Sequence, residues 1–191
     1  MIELSEELAR ASTMLDLRRF GEASELLARV VSAEPESSRA WCLMARAHLG
    51  GERYTEAISA ANQAVSLDPS DEWPHRLASN ALVHLGHYRG ALRAAYEACR
   101  IAPGYWQTHV CVAQAALAGQ RFNVASEAAT RGARSVRRTS RRASRGSRST
   151  IQAKQAAVTA AAMPSAITNG SRSTWVTAGI QIRISAISVN M

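Results

Sequence analysis

Few residues of this 191-residue chain stand in an arrangement that could carry chemistry. Arg76 and Asn80 are four residues apart, which on a helix places a guanidinium and a carboxamide one turn apart on the same face. Such a pair can hold a carboxylate or a stretch of peptide backbone by hydrogen bonds. His84 and His87 are three residues apart with no cysteine or carboxylate close in sequence, so the spacing favours surface or turn histidines over a metal site.

The sequence does not indicate an enzyme. It contains no spaced set of nucleophile, base and acid, and no glycine-rich phosphate loop. We therefore expect a non-catalytic protein that uses no cofactor and no metal. An acidic N-terminus, the lack of any apolar run of eighteen residues and three widely spaced cysteines favour a cytoplasmic protein without a membrane span or disulfides.

Small, aromatic and proline residues recur every 34 residues, which points to a repeat architecture. The recurring sets are the aromatics Phe20, Tyr54, Tyr88 and Phe122, the alanines Ala23, Ala57, Ala91 and Ala125, the small residues Ala11, Ala45, Ser79 and Ala113, and the prolines Pro35, Pro69 and Pro103. Each period holds two amphipathic, helix-length segments joined by a short linker in which glycine permits the turn. Alanine allows two helices to approach closely, and proline ends the second helix. Since one such unit cannot bury its own apolar face, the units must stack.

This pattern resembles the tetratricopeptide repeat, and residues 38–71 match it best, with Trp41, Ala45, Tyr54 and the closing Leu67-Asp68-Pro69. The resemblance implies an all-α, right-handed solenoid over residues 4–134. Its units are 4–37, 38–71, 72–105 and an incomplete 106–134, in which Gly132 and Arg137 replace the expected alanine and proline.

The charge of the chain changes near residue 131. Residues 131–191 contain 11 basic and no acidic residues, whereas all 15 acidic residues precede them. We expect an Arg/Ser-rich disordered segment over 135–150 and a tail over 151–191 with a helix at 151–163. Three interpretations stay open: an arm at 131–148 that binds nucleic acid or an anionic surface, a tail with no partner, or a reading-frame slip near codon 131 that leaves a truncated repeat protein without independent function.

The resemblance also implies a binding surface, because the first helix of each unit lines the concave side of such a solenoid. The family's ligand positions correspond here to Arg39, Arg46, Trp73, Arg76, Asn80, Val83, His84, Gln107, Val110 and Gln114. We predict a scaffold that holds, in this groove, a peptide or partner helix with acidic groups. Four side chains would be polar anchors (Arg46, Arg76, Asn80 and His84), and three would be apolar contacts (Trp73, Val83 and Val110).

Overall fold

A computed structural model describes the backbone of residues 2–143 and the side chains of residues 5–140. Over this range the chain forms eight helices and no strand, which confirms the predicted all-α fold. The helices are α1 (Ile2–Asp16), α2 (Phe20–Ala33), α3 (Ser38–Gly50), α4 (Tyr54–Leu67), α5 (Trp73–His84), α6 (Tyr88–Ile101), α7 (Trp106–Ala118) and α8 (Phe122–Ala143). They pair in sequence order into four helical hairpins, one for each 34-residue unit.

The first helix of every hairpin ends in the same turn. One residue in each turn has a φ between 58° and 76°, and these residues are again 34 apart: Arg18, Glu52, Gly86 and Gln120. The following amide donates to the carbonyl five residues back, as Arg53 does to His48 at 2.9 Å, which is the Schellman arrangement of a helix C-terminus. In the second unit the left-handed residue is therefore Glu52, and the glycines Gly50 and Gly51 lie in the helix end and its cap.

The second helix of each of the first three hairpins stops before proline, as predicted. The capping residues Glu34, Asp68 and Ala102 have φ between −137° and −127°, in the extended range that a following proline favours. The fourth hairpin has Arg137 where a proline would stand, and α8 continues to Ala143.

The recurring small residues lie where two helices touch. Ala23, Ala57 and Ala91 are fully buried and Ala125 is 1% exposed; the other small series, Ala11, Ala45, Ser79 and Ala113, is fully buried throughout. The Ser79 hydroxyl donates a 2.9 Å hydrogen bond to the Ala91 carbonyl and so joins α5 to α6. A larger side chain at these positions would force the helices apart.

In the close contacts between neighbouring hairpins, at least one of the two helices is a first helix. α1 packs on α3, α3 on α5 and α5 on α7, while each second helix packs on the first helices beside it. The layer of first helices is therefore the more closely spaced layer, which makes it the inner, concave side of the solenoid. The groove predicted from the sequence lies on this layer.

The end of the fourth hairpin differs from the sequence prediction. Disorder was expected from residue 135, but α8 is helical to Ala143 and Val136 is only 2% exposed. Gly132 is buried against α7, and the Ser135 hydroxyl donates to the Gly104 carbonyl. These contacts explain the extra turns of helix, because they fix α8 against its partner where no proline stops it. The remainder of the predicted disordered segment and the expected helix at 151–163 lie outside the described residues.

Candidate peptide-binding groove

The ten predicted groove residues all lie on the inner layer of helices. α3 carries Arg39 and Arg46, α5 carries Trp73, Arg76, Asn80, Val83 and His84, and α7 carries Gln107, Val110 and Gln114. Each of these side chains is at least partly exposed, and those of Arg39, His84 and Gln114 are the most open. Trp73 packs its ring against the core of the first two units, and Val83 packs against the core of the last two. Both side chains therefore also contribute to the stability of the fold.

Arg46 is partly neutralised by a carboxylate that the sequence prediction did not include. Its Nη2 lies 2.6 Å from Oδ1 of Asp16 at the end of α1, and 35% and 66% of the two side chains are exposed. Asp16 occupies the same position in the first unit that His84 occupies in the third. A search that applied the groove positions to all four units would have found it.

Arg76 is held in place from two sides. Its guanidinium pairs with Glu72 one helical turn earlier, and its Cζ lies 5.4 Å from the centroid of the Tyr105 ring, within the range of a cation–π contact. About a fifth of each side chain of the ion pair is exposed. The planar group therefore has a fixed orientation but already has an anionic partner.

Several polar groups of the groove have no intramolecular partner. Within the described part of the chain, Arg39 and Asn80 form no hydrogen bond or ion pair, and Oε1 of Gln107 is buried without a partner. A buried acceptor without a donor is unfavourable. Gln114, which lies 34 residues after Asn80, is exposed and also forms no hydrogen bond within the described residues.

The buried thiols near the groove are suited to packing. Oδ1 of Asp71 accepts the Trp73 amide at 2.9 Å, and its other oxygen lies 3.9 Å from Sγ of Cys42. Burial raises the pKa of Cys42 to about 12 and that of Cys111 to about 11. Both thiols are thus protonated at neutral pH, and a protonated thiol is a poor nucleophile.

Cys99 and His109 form a thiol–imidazole pair behind the groove. Sγ of Cys99 lies 3.6 Å from Nδ1 of His109, and Nε2 of the same ring lies 2.9 Å from the Pro103 carbonyl oxygen. These distances fit an imidazole that donates to Pro103 and accepts from the thiol. Because burial raises the pKa of Cys99, the pair acts as a structural hydrogen bond between α6 and α7.

Two histidines of the first helices, His48 and His75, are half-buried. Burial lowers the pKa of His48 and of His75, and Nδ1 of His48 is buried without a hydrogen-bond partner in the described part. His84, predicted as an anchor, stacks its ring on Tyr54 of the preceding unit. Residues 5–140 contain no cluster of three or more histidine, cysteine or acidic side chains placed to hold a metal ion. Among the described helices, none is both long and apolar enough to cross a membrane.

Comparison with known proteins agrees with this fold. Residues 8–72 match the family model described as tetratricopeptide repeat. Protein SGT1 homolog of Oryza sativa subsp. japonica is 35% identical over 78 residues, which are 41% of this chain and 21% of that protein. The chain thus spans about a fifth of this curated relative.

Two solved structures share the solenoid at low identity. The crystal structure of MamA is 17% identical with a TM-score of 0.64, and the match covers 72% of this chain and 81% of that one. An O-GlcNAc transferase mutant of Thermobaculum terrenum is 23% identical with a TM-score of 0.56, over 59% of this chain and 22% of that one. These likenesses concern the fold alone. The family match over residues 8–72 and the 34-residue period of buried alanines together support a protein built from tetratricopeptide repeats.

Proposed function

We propose that the chain is a non-catalytic interaction scaffold that binds an extended or helical peptide with acidic groups on its concave side. The observation that carries this proposal is the set of accessible, unpartnered polar side chains on three consecutive inner helices of the described chain: Arg39 on α3, Asn80 on α5 and Gln114 on α7. A peptide that spans the second to the fourth unit would meet a cation and two amides in turn. A cytoplasmic location and an acidic partner stay predictions from the sequence.

The three arginines of the groove have different roles, because they differ in their ion pairs. Arg39 is free to meet an acidic side chain directly, whereas Arg46 must first exchange Asp16 for the ligand. Arg76 stays with Glu72 and Tyr105 and serves mainly to shape the wall beside Asn80. Affinity should be modest, because ordering the peptide and desolvating polar groups offset much of the contact energy.

The test uses peptides selected from a random 12-residue display library, re-measured by fluorescence anisotropy. Arg39→Gln and Asn80→Ala should each weaken binding about three- to tenfold, the loss of one hydrogen bond or charge contact. Asp16→Asn should strengthen binding of acidic peptides, because it releases Arg46. Asn62→Ala, at an exposed site on the outer helix α4, is the matched control and should leave affinity unchanged. Equal effects of Asn62→Ala and Asn80→Ala would contradict the groove.

A further inference from the structure

The outer surface of the last two hairpins is strongly basic. Residues 86–140 contain eight arginines and two glutamates, whereas residues 1–85 contain eight arginines and 13 acidic residues. The positive charge therefore begins well before the Arg/Ser-rich segment, inside the folded repeats.

One row of exposed arginines runs along α6. Arg93, Tyr96 and Arg100 are spaced by three and four residues, so they share one helical face, and Arg89 extends the row by one more turn. The Tyr96 residue is 50% exposed. Nε of Arg100 lies 2.7 Å from a carboxylate oxygen of Glu97, whereas Arg89 and Arg93 have no ion-pair partner within the described residues.

A second row runs along α8 with the same spacing, and it consists of Arg131, Arg134 and Arg138. Arg131 pairs with Glu127 at 2.6 Å, and the other two have no anionic partner in the part of the chain that the structure describes. The two rows lie near each other, because His109 of α7 touches both helices. Its Nδ1 lies 3.6 Å from Sγ of Cys99 on α6, and a Cβ added to Gly132 on α8 would lie 3.3 Å from its Cβ.

We propose that this α6/α8 surface, defined by Arg93, Tyr96, Arg100, Arg131, Arg134 and Arg138, binds single-stranded nucleic acid. Guanidinium groups pair with phosphates in a bidentate manner, and an exposed aromatic ring between two of them offers a face on which a base can stack. On α6 the helical rise places Arg93 and Arg100 about 10 Å apart along the axis with Tyr96 between them.

The aromatic group favours nucleic acid over an anionic membrane. A helix that lies on a membrane inserts a continuous apolar face between the lipids, whereas the aromatic residues exposed on α6 and α8, namely Tyr88, Tyr96 and Phe122, are separated by arginine and other polar residues. The surface is on the opposite side of the repeats from the groove, so this proposal does not depend on peptide binding.

The experiment measures binding of the full-length chain to a fluorescein-labelled 20-nucleotide oligo(dT) by anisotropy at several salt concentrations. Affinity should fall steeply with salt, because each phosphate contact releases counterions. Arg93→Gln with Arg134→Gln should reduce the slope of log affinity against log salt by about 1.4, at about 0.7 per single-strand contact. Tyr96→Ala should reduce affinity at least fivefold with the slope unchanged, and Tyr96→Phe should bind as the wild type does.

Arg29→Gln is the matched control, an exposed arginine on the outer helix α2 of the acidic half, and it should leave binding unchanged. Wild-type affinity for the Tyr96→Ala chain and for the double arginine variant would overturn the proposal and assign binding to residues 141–191. Failure of the wild type to bind oligo(dT), or tighter binding to phosphatidylserine vesicles at the same salt, would overturn it as well.

Discussion

The imidazole of His84 lies flat on the phenol ring of Tyr54, with the ring centroids 4.6 Å apart and 2° between the planes. Tyr54 begins α4 and His84 ends α5, so this stack joins the turn of the second unit to the third unit. Face-to-face contact occupies one side of the ring that the sequence predicted as a polar anchor. His84 therefore sets the spacing of two repeats and offers a ligand only its edge and its outer face.

The turn aromatics of two other units make an equivalent contact, each with a glycine at the end of the next unit's first helix. A Cβ added to Gly50 would collide with the ring of Phe20, and one added to Gly119 would come within 3.1 Å of Cβ of Tyr88. Each turn aromatic thus lies against the end of the next unit's first helix. Phe122 in the last hairpin is 53% exposed, because no later unit covers it within the described residues.

His84→Ala should lower the free energy of unfolding by about 0.5–1.5 kcal/mol, the contribution typical of an aromatic pair. Its effect on peptide affinity should be small, because the ring packs mainly against Tyr54. Urea denaturation followed by circular dichroism measures the first quantity. His87→Ala, at an exposed turn residue, is the control, and equal destabilisation by both variants would show that the stack contributes nothing.

The fold could be predicted from the sequence because its repeating determinants act locally. An alanine at a close helix contact and a proline after a helix each have a steric effect that does not depend on distant residues. The left-handed conformation of the turn residues could not be predicted, because in three of the four units the residue type does not indicate it. Only Gly86 of the four is the residue type that marks this conformation, because it lacks a Cβ, whereas Arg18, Glu52 and Gln120 adopt it without a sequence signal.

Glu52→Gly should raise the free energy of unfolding by about 1 kcal/mol, since Glu52 has a φ of 61° and only glycine adopts this region without a steric cost. Gly86→Ala, at a φ of 76°, should lower it by a similar amount. Thermal and urea unfolding of both variants check the two signs. A Glu52→Gly chain less stable than the wild type would mean that the side chain contributes more than the turn strain costs.

The side-chain contacts in the groove could not be predicted, because they depend on the conformations that long side chains adopt between helices. The repeat positions place Asp16 in the groove, but nothing in the sequence marks it as the ion-pair partner of Arg46, 30 residues later. The pairing of Glu72 with Arg76 could be predicted, because the two residues are four apart on one helix. The contact of Arg76 with the Tyr105 ring could not, because it depends on the stacking of α7 on α5.

Ala91→Leu should lower the free energy of unfolding by about 1–3 kcal/mol. Ala91 is fully buried and its carbonyl accepts the Ser79 hydroxyl, so three extra carbon atoms must push α5 and α6 apart. Ala28→Leu, at an exposed position on α2, is the matched control and should change stability by a few tenths of a kcal/mol. Tolerance of leucine at both sites would contradict the role given to the recurring alanines.

Acidification should destabilise the protein over a range that begins near pH 6.5. Burial lowers the pKa of His48 and of His75 in the folded chain, so the unfolded chain binds their protons first, near the ordinary histidine pKa of about 6.5. The stability from the neutral rings is complete above this pH and is lost as pH falls toward the lower folded values. Urea unfolding at pH 7.5 and 5.5 measures the loss. The double variant His48→Gln, His75→Gln should show a smaller pH dependence than the control His87→Gln.

Gly132→Leu tests whether the residues beyond 131 belong to the folded solenoid. A Cβ at Gly132 would lie 3.3 Å from Cβ of His109 and 3.8 Å from the Trp106 carbonyl oxygen, so leucine should cost about 1–3 kcal/mol by overpacking. Gly21→Leu is the matched control, because no atom lies within 4 Å of a Cβ added there.

The sign of the change in stability shows whether α8 packs on α7 at residue 132. In an open helix, replacement of glycine by a better helix former raises stability by up to about 1 kcal/mol, and Gly21→Leu should show this gain. If α8 packs on α7 through Gly132, the Gly132→Leu chain should be less stable than the wild type. A gain at both sites would mean that α8 makes no close contact there, as expected if the chain from codon 131 onward were read out of frame.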